Sequence, residues 1–292
     1  MKTKKQRSDK RSERISIGVF QGRLTPRKDR STQFFPFDNW QNEFNAARDL
    51  GLDEIEFIFD YERFEENPLW SQAGRNRINE LIKNSGVKVK HICADYFMAS
   101  PFFRNEASKV SKNIEALAKL IDYAKEIGAT NIEIPLVDNS SIKTNAEEKS
   151  FVNALKKVLL RAKKAGLTIG LETDLPVDKF VSLIDTFDDP TIVANYDSGN
   201  SAALGYRHRE EISSLAHRIG NVHIKDRRYG GSTVPLGSGD ANLDEVFSSL
   251  KEVGYSGSII IQAARGNDGS EKETVRQYIA FVRKLTVKYL TK

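Results

Sequence analysis

KAGLTIGLETD, residues 164–174, decides the fold: a lysine-rich helical stretch stops on Gly166, and a short β-rich run follows it. Glycine takes the left-handed conformation that ends a helix without a Cβ clash, so the chain can turn there into a strand. The same plan recurs at Gly51 before LDEIEFIF, Gly86 before VKVKHIC, Gly128 before ATNIEIP, Gly220 before NVHIK and Gly254 before YSGSIIIQ. Gly51, Gly86, Gly128 and Gly166 are spaced by 35 to 42 residues, the length of one α-plus-β unit and too long for a hairpin meander. ISIGVF at 15–20 supplies a first strand, and TIVANYD at 191–197 supplies another whose preceding turn is DDP. The total is eight strands.

Helical periodicity fills the gaps. Asp38 is the expected cap of DNWQNEFNAARDL, in which Phe44, Ala47 and Leu50 share a face. KVSKNIEALAKLIDYAKEIG places Ile114, Leu117, Ile121 and Ala124 likewise. Eight alternating units mean either a closed barrel or a doubly wound open sheet. The 292-residue length and the regular repeat favour a single (β/α)8 TIM barrel over residues 15–292. GVFQGRLTPR after the first strand lacks the glycine pattern of an open dinucleotide-binding sheet.

Composition narrows the function. Of the net charge of +5, all resides in residues 1–14, MKTKKQRSDKRSER, which read as a disordered basic tail; the remaining 38 basic and 38 acidic residues balance. A neutral body argues against a nucleic-acid partner, and no apolar run approaches the roughly 18 residues of a membrane span. The single cysteine, Cys93, excludes an intrachain disulfide, suits a cytoplasmic setting and reads as a small buried residue. Homo-oligomerisation stays open.

In a parallel barrel the βα loops converge above the C-terminal strand ends, and chemistry gathers there. Strand five ends with Glu172, six with Asp197, seven with His223 and eight with Gln262. Two carboxylates, an imidazole and an amide oxygen suit one divalent ion, Mn²⁺, Co²⁺ or Mg²⁺ in preference to Zn²⁺. Arg23, Lys225, Arg227 and Arg265 on the same rim are candidates to neutralise an oxyanion or to hold a phosphate or carboxylate. Gln21, Glu56, His91 and Asn200 complete the candidate substrate-binding set. Phe20, Trp70, Tyr96 and Phe97 either wall the pocket or pack loops, and His208 and His217 read as solvated helix residues.

These phrases carry a resemblance. GVFQGRLTP, FPFDNWQNEF, LETD, YDSGNSAALGY, VHIKDR and VPLGSGDANLDEVFSSLKEVGYSGSIIIQ resemble the sugar phosphate isomerase/epimerase family of xylose-isomerase-like barrels over about residues 15–285. The resemblance implies a sugar or sugar-phosphate substrate and a metal held by Glu172, Asp197, His223 and, with an amide replacing the family's second glutamate, Gln262. That pair commonly serves also as the acid and base. An amide cannot accept a proton near neutral pH, so the expectation is aldose–ketose isomerisation through an enediolate with Glu172 as base, unless Glu56 or Glu133 fills the vacancy. A metal-dependent lyase of keto-inositol dehydratase type and a catalytically degenerate sugar-binding barrel are the alternatives. A nuclease of endonuclease IV type needs more histidines than four, and Asn200 and HIKD depart from its pattern.

Overall fold

The computed structural model describes residues 15–26, 33–267 and 269–291, so the basic tail lies outside the described residues. Eight strands close a parallel barrel in chain order: β1 Ile17–Phe20, β2 Glu54–Ile58, β3 His91–Cys93, β4 Asn131–Leu136, β5 Thr168–Thr173, β6 Ile192–Asp197, β7 Ile219–Ile224 and β8 Ser258–Ile261. Gly18 pairs with Glu54 on one side and Ile260 on the other, which closes the ring. Strand residues alternate in role. Ile55, Phe57, Ile132, Ile134, Val222 and Ile224 are buried apolar positions, while Glu56, Asn131, Glu133, Asn221 and His223 between them are buried polar ones. The hydrogen bond between Glu56 and His223, from strands two and seven, shows that this polar set points into the barrel.

Each strand is followed by helix, and each helix buries an apolar stripe on the barrel: Phe44, Ile78, Leu117, Leu155, Leu183, Ile212, Phe247 and Val282 are all fully buried. Burying such a side chain stabilises by about 1.5–3 kcal/mol, so this layer, not the polar interior, holds the barrel together. Five of the six glycine turns are as expected, with φ of 71–77° at Gly51, Gly86, Gly128, Gly166 and Gly254.

Two local expectations are corrected. Gly220 lies inside β7 rather than at a helix end; a Cβ there would meet Val193 Cγ2 at 2.5 Å, so glycine is required by close packing. Ala216, with φ 42°, makes the turn instead. The first helix, Trp40–Asp49, is preceded by Asn39 at its cap, without a side-chain cap bond, and not by Asp38. No helix among the described residues is long and apolar enough to cross a membrane.

Candidate active site

The C-terminal mouth of the barrel opens into a cavity of about 610 Å³ whose wall includes Arg23, Asp95, Glu133, Glu172, Asn200, Lys225, Arg227 and Gln262. Glu172 near the end of β5 is clamped by two amides: Asn200 Nδ2 donates to Oε1 at 2.7 Å and Asn195 Nδ2 to Oε2 at 2.9 Å. Asp197 ends β6, and its Oδ1 accepts the Asn200 N–H at 2.8 Å, capping the helix Ser198–Leu204. His223 of β7 turns Nδ1 to Glu172 Oε2 at 3.2 Å and to Asp197 Oδ2 at 3.9 Å. Beyond β8, Gln262 Oε1 accepts from Lys225 Nζ at 3.2 Å, and the same ammonium donates to Asp197 Oδ2 and Asn200 Oδ1, each at 3.3 Å.

The other edge of His223 is anchored from below. Nε2–H donates to Glu56 Oε2 at 2.7 Å and lies 3.3 Å from Glu133 Oε2. A donated Nε2–H leaves Nδ1 as the nitrogen that faces Glu172 and Asp197, which is how a carboxylate sets the tautomer of a ligating histidine. Burial alone would lower the imidazole pKa, but the charges of Glu56 and Glu133 and the hydrogen bonds of Glu172 and Glu56 overcome it and raise it well above the usual range. Burial pushes Glu133 up, with Glu172 and Glu56 adding to the rise against the opposing His223. Glu172 goes the other way: burial would raise it, yet the His223 hydrogen bond and charge and the Lys225 charge bring it to about 2.

The donor set fits a divalent ion. Glu172, Asp197 and His223 each offer a ligand atom, all within 4.8 Å of one another, and the Gln262 amide oxygen stands across the Lys225 ammonium from Asp197. Two carboxylate oxygens, an imidazole nitrogen and an amide oxygen are the chemistry of a hard-to-borderline cation.

The remaining expected residues divide. Asn200, Lys225, Arg227 and Arg23 reach the cavity. Arg227 Nη1 donates to Asn200 Oδ1 at 2.9 Å, and Arg23, buried and lowered to about 10 by burial and then by Arg265, donates to Ala263 O at 3.0 Å. Arg265 instead braces a loop through Gly22 O and, at 3.3 Å, Thr25 O. Gln21, buried, accepts from Ile58 N at 2.9 Å and is not part of the cavity wall. His91 starts β3 low in the barrel, 3.9 Å from Glu54 Oε2 and away from the cavity, and Glu56 supports His223. Phe20 packs edge-on against His223, while Trp70 and Tyr96 stack on Phe59 and Phe97 meets Tyr96 edge-on. Cys93 is buried, and burial followed by the charge of Asp95 raises its thiol well above the ordinary range.

His208 corrects its sequence reading. It is buried, meets Tyr196 Oη at 2.7 Å through Nδ1, and accepts the Asn242 N–H at 3.2 Å through Nε2. His217 is exposed, as expected. Asp95 and Gln33 on the cavity wall, and Asn195 behind Glu172, were not singled out from the sequence. The signal for Asn195 was its alternate position with Asp197 on one strand, whereas Asp95 and Gln33 lie on loops and carried none.

An eight-stranded parallel barrel, with carboxylates and an imidazole from strands five to seven and an amide just beyond strand eight at its mouth, defines the class of TIM-barrel proteins. Residues 44–285 match the family described as xylose isomerase-like TIM barrel, and the chain belongs to that family. It is similar to the L-ribulose-5-phosphate 3-epimerase UlaE of Escherichia coli O1:K1, 26% identical over 231 residues that span 76% of this chain and 81% of the relative. Among solved structures it resembles D-allulose 3-epimerase from Methylomonas sp., with a TM-score of 0.75, 16% identity and coverage of 93% of this chain and 98% of that one. An L-ribulose 3-epimerase gives 0.74 at 18% identity, covering 94% and 95% respectively. These structural likenesses show the fold.

Proposed function

We propose that the protein is a divalent-metal-dependent sugar or sugar-phosphate isomerase/epimerase that works through an enediolate. The observation that carries this is the meeting of Glu172, Asp197 and His223 within 4.8 Å of one another, with Glu172 also on the wall of the cavity that Gln262, Lys225, Arg227 and Arg23 line. The 3-epimerase names of the similar proteins support it. When bound by these side chains, a divalent ion supplies Lewis acidity to a carbonyl and its neighbouring hydroxyl.

The chain's own residues supply the rest. Glu172, ionised and oriented by Asn195 and Asn200, removes the proton from the carbon next to the carbonyl. Lys225 places a fixed positive charge at the mouth, where enediolate oxygens gain negative charge. Arg227 and Arg23 offer guanidinium groups to a phosphate or a further hydroxyl. Glu56 and Glu133 fix the ring of His223. Transfer between adjacent carbons on one face needs only Glu172, whereas inversion at one carbon needs a second proton-transfer group that Gln262 cannot be.

The test is proton nuclear magnetic resonance in D₂O with Mn²⁺ and a panel of L-ribulose 5-phosphate, L-ribulose and D-allulose. Expected is deuterium entry beside the carbonyl of at least one sugar, lost by two orders of magnitude or more in Glu172→Gln. Wild-type protein that binds Mn²⁺ yet exchanges none of the panel would overturn the reading, and undiminished exchange in Glu172→Gln would remove Glu172 as the base.

A further inference from the structure

The cavity wall carries a carboxylate that belongs neither to the ion site nor to the support of His223. Asp95 stands two residues beyond β3, 7% exposed, on the same cavity as Glu172 and Gln262. Gln33 joins it to the strand-eight side: Nε2 donates to Asp95 Oδ2, and Oε1 accepts from Gln262 Nε2 at 3.2 Å. The other oxygen of Asp95 accepts from Cys93 Sγ at 3.3 Å. Asp95 is therefore one bridging side chain away from the amide that stands where a second carboxylate is missing. Glu133 is a poorer substitute, because it is engaged at the Nε2 edge of His223, the edge turned away from Glu172 and Asp197.

We infer that Asp95 is the second proton-transfer group, acting on the face of the substrate carbon opposite Glu172, and that the reaction is inversion at that carbon. This rests on the isomerase/epimerase reading above. The Glu172 carboxylate takes the proton from the hydroxyl-bearing carbon next to the carbonyl; the C–H pair becomes the enediolate C=C as the carbonyl π pair moves to oxygen. The carboxylic acid of Asp95 then gives its proton to the opposite face, the C=C pair forming the new C–H bond as the carbonyl reforms. Nothing is oxidised or reduced, the other epimer runs the roles in reverse, and proton exchange with water resets the pair. Burial raises the Asp95 carboxyl to about 6, against the hydrogen bonds of Gln33 and Cys93, so a protonated fraction exists near neutrality.

The experiment uses Mn²⁺-loaded wild type, Asp95→Asn and Asp95→Glu with L-ribulose 5-phosphate and, separately, its C3 epimer in D₂O. Expected for Asp95→Asn is a loss of inversion of 10²-fold or more while one epimer still gains deuterium at C3 without inverting, through Glu172. Asp95→Glu should recover part of the inversion. Inversion at the wild-type rate in Asp95→Asn overturns the inference, as does equal loss of exchange from both epimers with no recovery in Asp95→Glu. A wild type that exchanges neither epimer nor any other sugar of the panel fails the isomerase/epimerase reading, and the inference falls with it.

Discussion

The Lys225 ammonium donates to Gln262 Oε1 at 3.2 Å while it also contacts Asp197 Oδ2 at 3.3 Å, so a built-in cation stands between two of the four side chains of the proposed ion site. With an amide at position 262, the carboxylates of Asp197 and Glu172 already face one positive charge. Charges about 4 Å apart interact by about 4 kcal/mol at an effective dielectric constant of 20, so a divalent ion entering here must contend with Lys225. Lys225→Met is expected to bind Mn²⁺ at least tenfold more tightly than wild type, and Gln262→Glu to shift affinity in the same direction. Isothermal titration calorimetry on chelator-stripped protein decides it. Unchanged or weaker binding by Lys225→Met would mean that the lysine does not compete.

His223 is the hinge between two buried carboxylate sets, and its support predicts a second effect. Glu56→Gln replaces the 2.7 Å charged acceptor of Nε2–H by a neutral one in a fully buried setting. Such outer partners of a ligating histidine are worth 10–100-fold in metal affinity. The same titration should show Mn²⁺ binding weakened by about that factor in Glu56→Gln, with thermal unfolding of the variant still cooperative. Affinity equal to wild type would leave Glu56 a purely structural residue.

Why the sequence pointed to the candidate ligands and not to the residues that support them is a matter of register. Glu172, Asp197, His223 and Gln262 lie at strand ends, and strand ends in a parallel barrel open on one place whatever the inward parity. Glu56, Glu133 and Asn195 sit within strands, where a slip of one residue sends a side chain from the lumen to the helix layer. Only the closed register, with Cys93 opposite Glu133 and Glu133 opposite Gly170, settles which way they point. Asp95 and Gln33 were invisible for another reason: their meeting joins positions 62 residues apart through loops that carry no periodic signal. His208 misled because its helix does have an exposed face, and its burial comes from contacts with Tyr196 and with the distant Asn242.

The strand-seven phrase HIKD is followed by GSGDAN for a structural reason. Asp226 is fully buried and accepts N–H bonds from Gly237 and Gly239, each at 2.9 Å, and from Ala241 at 3.1 Å. A Cβ at position 239 would lie 2.1 Å from Asp226 Oδ1, so the carboxylate and the glycine require each other. Asp226→Ala strands three backbone donors beside the hairpin that carries Arg227, and is expected to cost about 2–4 kcal/mol. Urea unfolding measures the loss. A change below 0.5 kcal/mol, the scale of an ordinary surface substitution, would show that water satisfies those donors instead.

His208 makes stability fall in acid. Burial, opposed by the Asp226 charge, lowers its pKa from 6.5 to about 4, so the folded protein keeps the ring neutral where the unfolded chain would protonate it. The unfolded state then binds more protons below pH 6.5, and linkage makes the folded state lose stability as the pH falls. The contribution is fully present above pH 6.5 and is lost progressively between 6.5 and about 4, to a total of about 3 kcal/mol. Glu211 and Glu43, both raised by burial to about 7, have the opposite sign: their contribution is present below the ordinary carboxylate range and is lost as the pH rises towards 7. A comparison of wild type with His208→Gln cancels the carboxylates that the two proteins share. The difference in unfolding free energy should narrow by about 3 kcal/mol from pH 7 to pH 4, because only the wild type carries the acid penalty of the ring. Denaturant melts at half-unit pH steps give the curve, and parallel pH profiles for the two proteins would show that His208 titrates alike in the folded and unfolded chain.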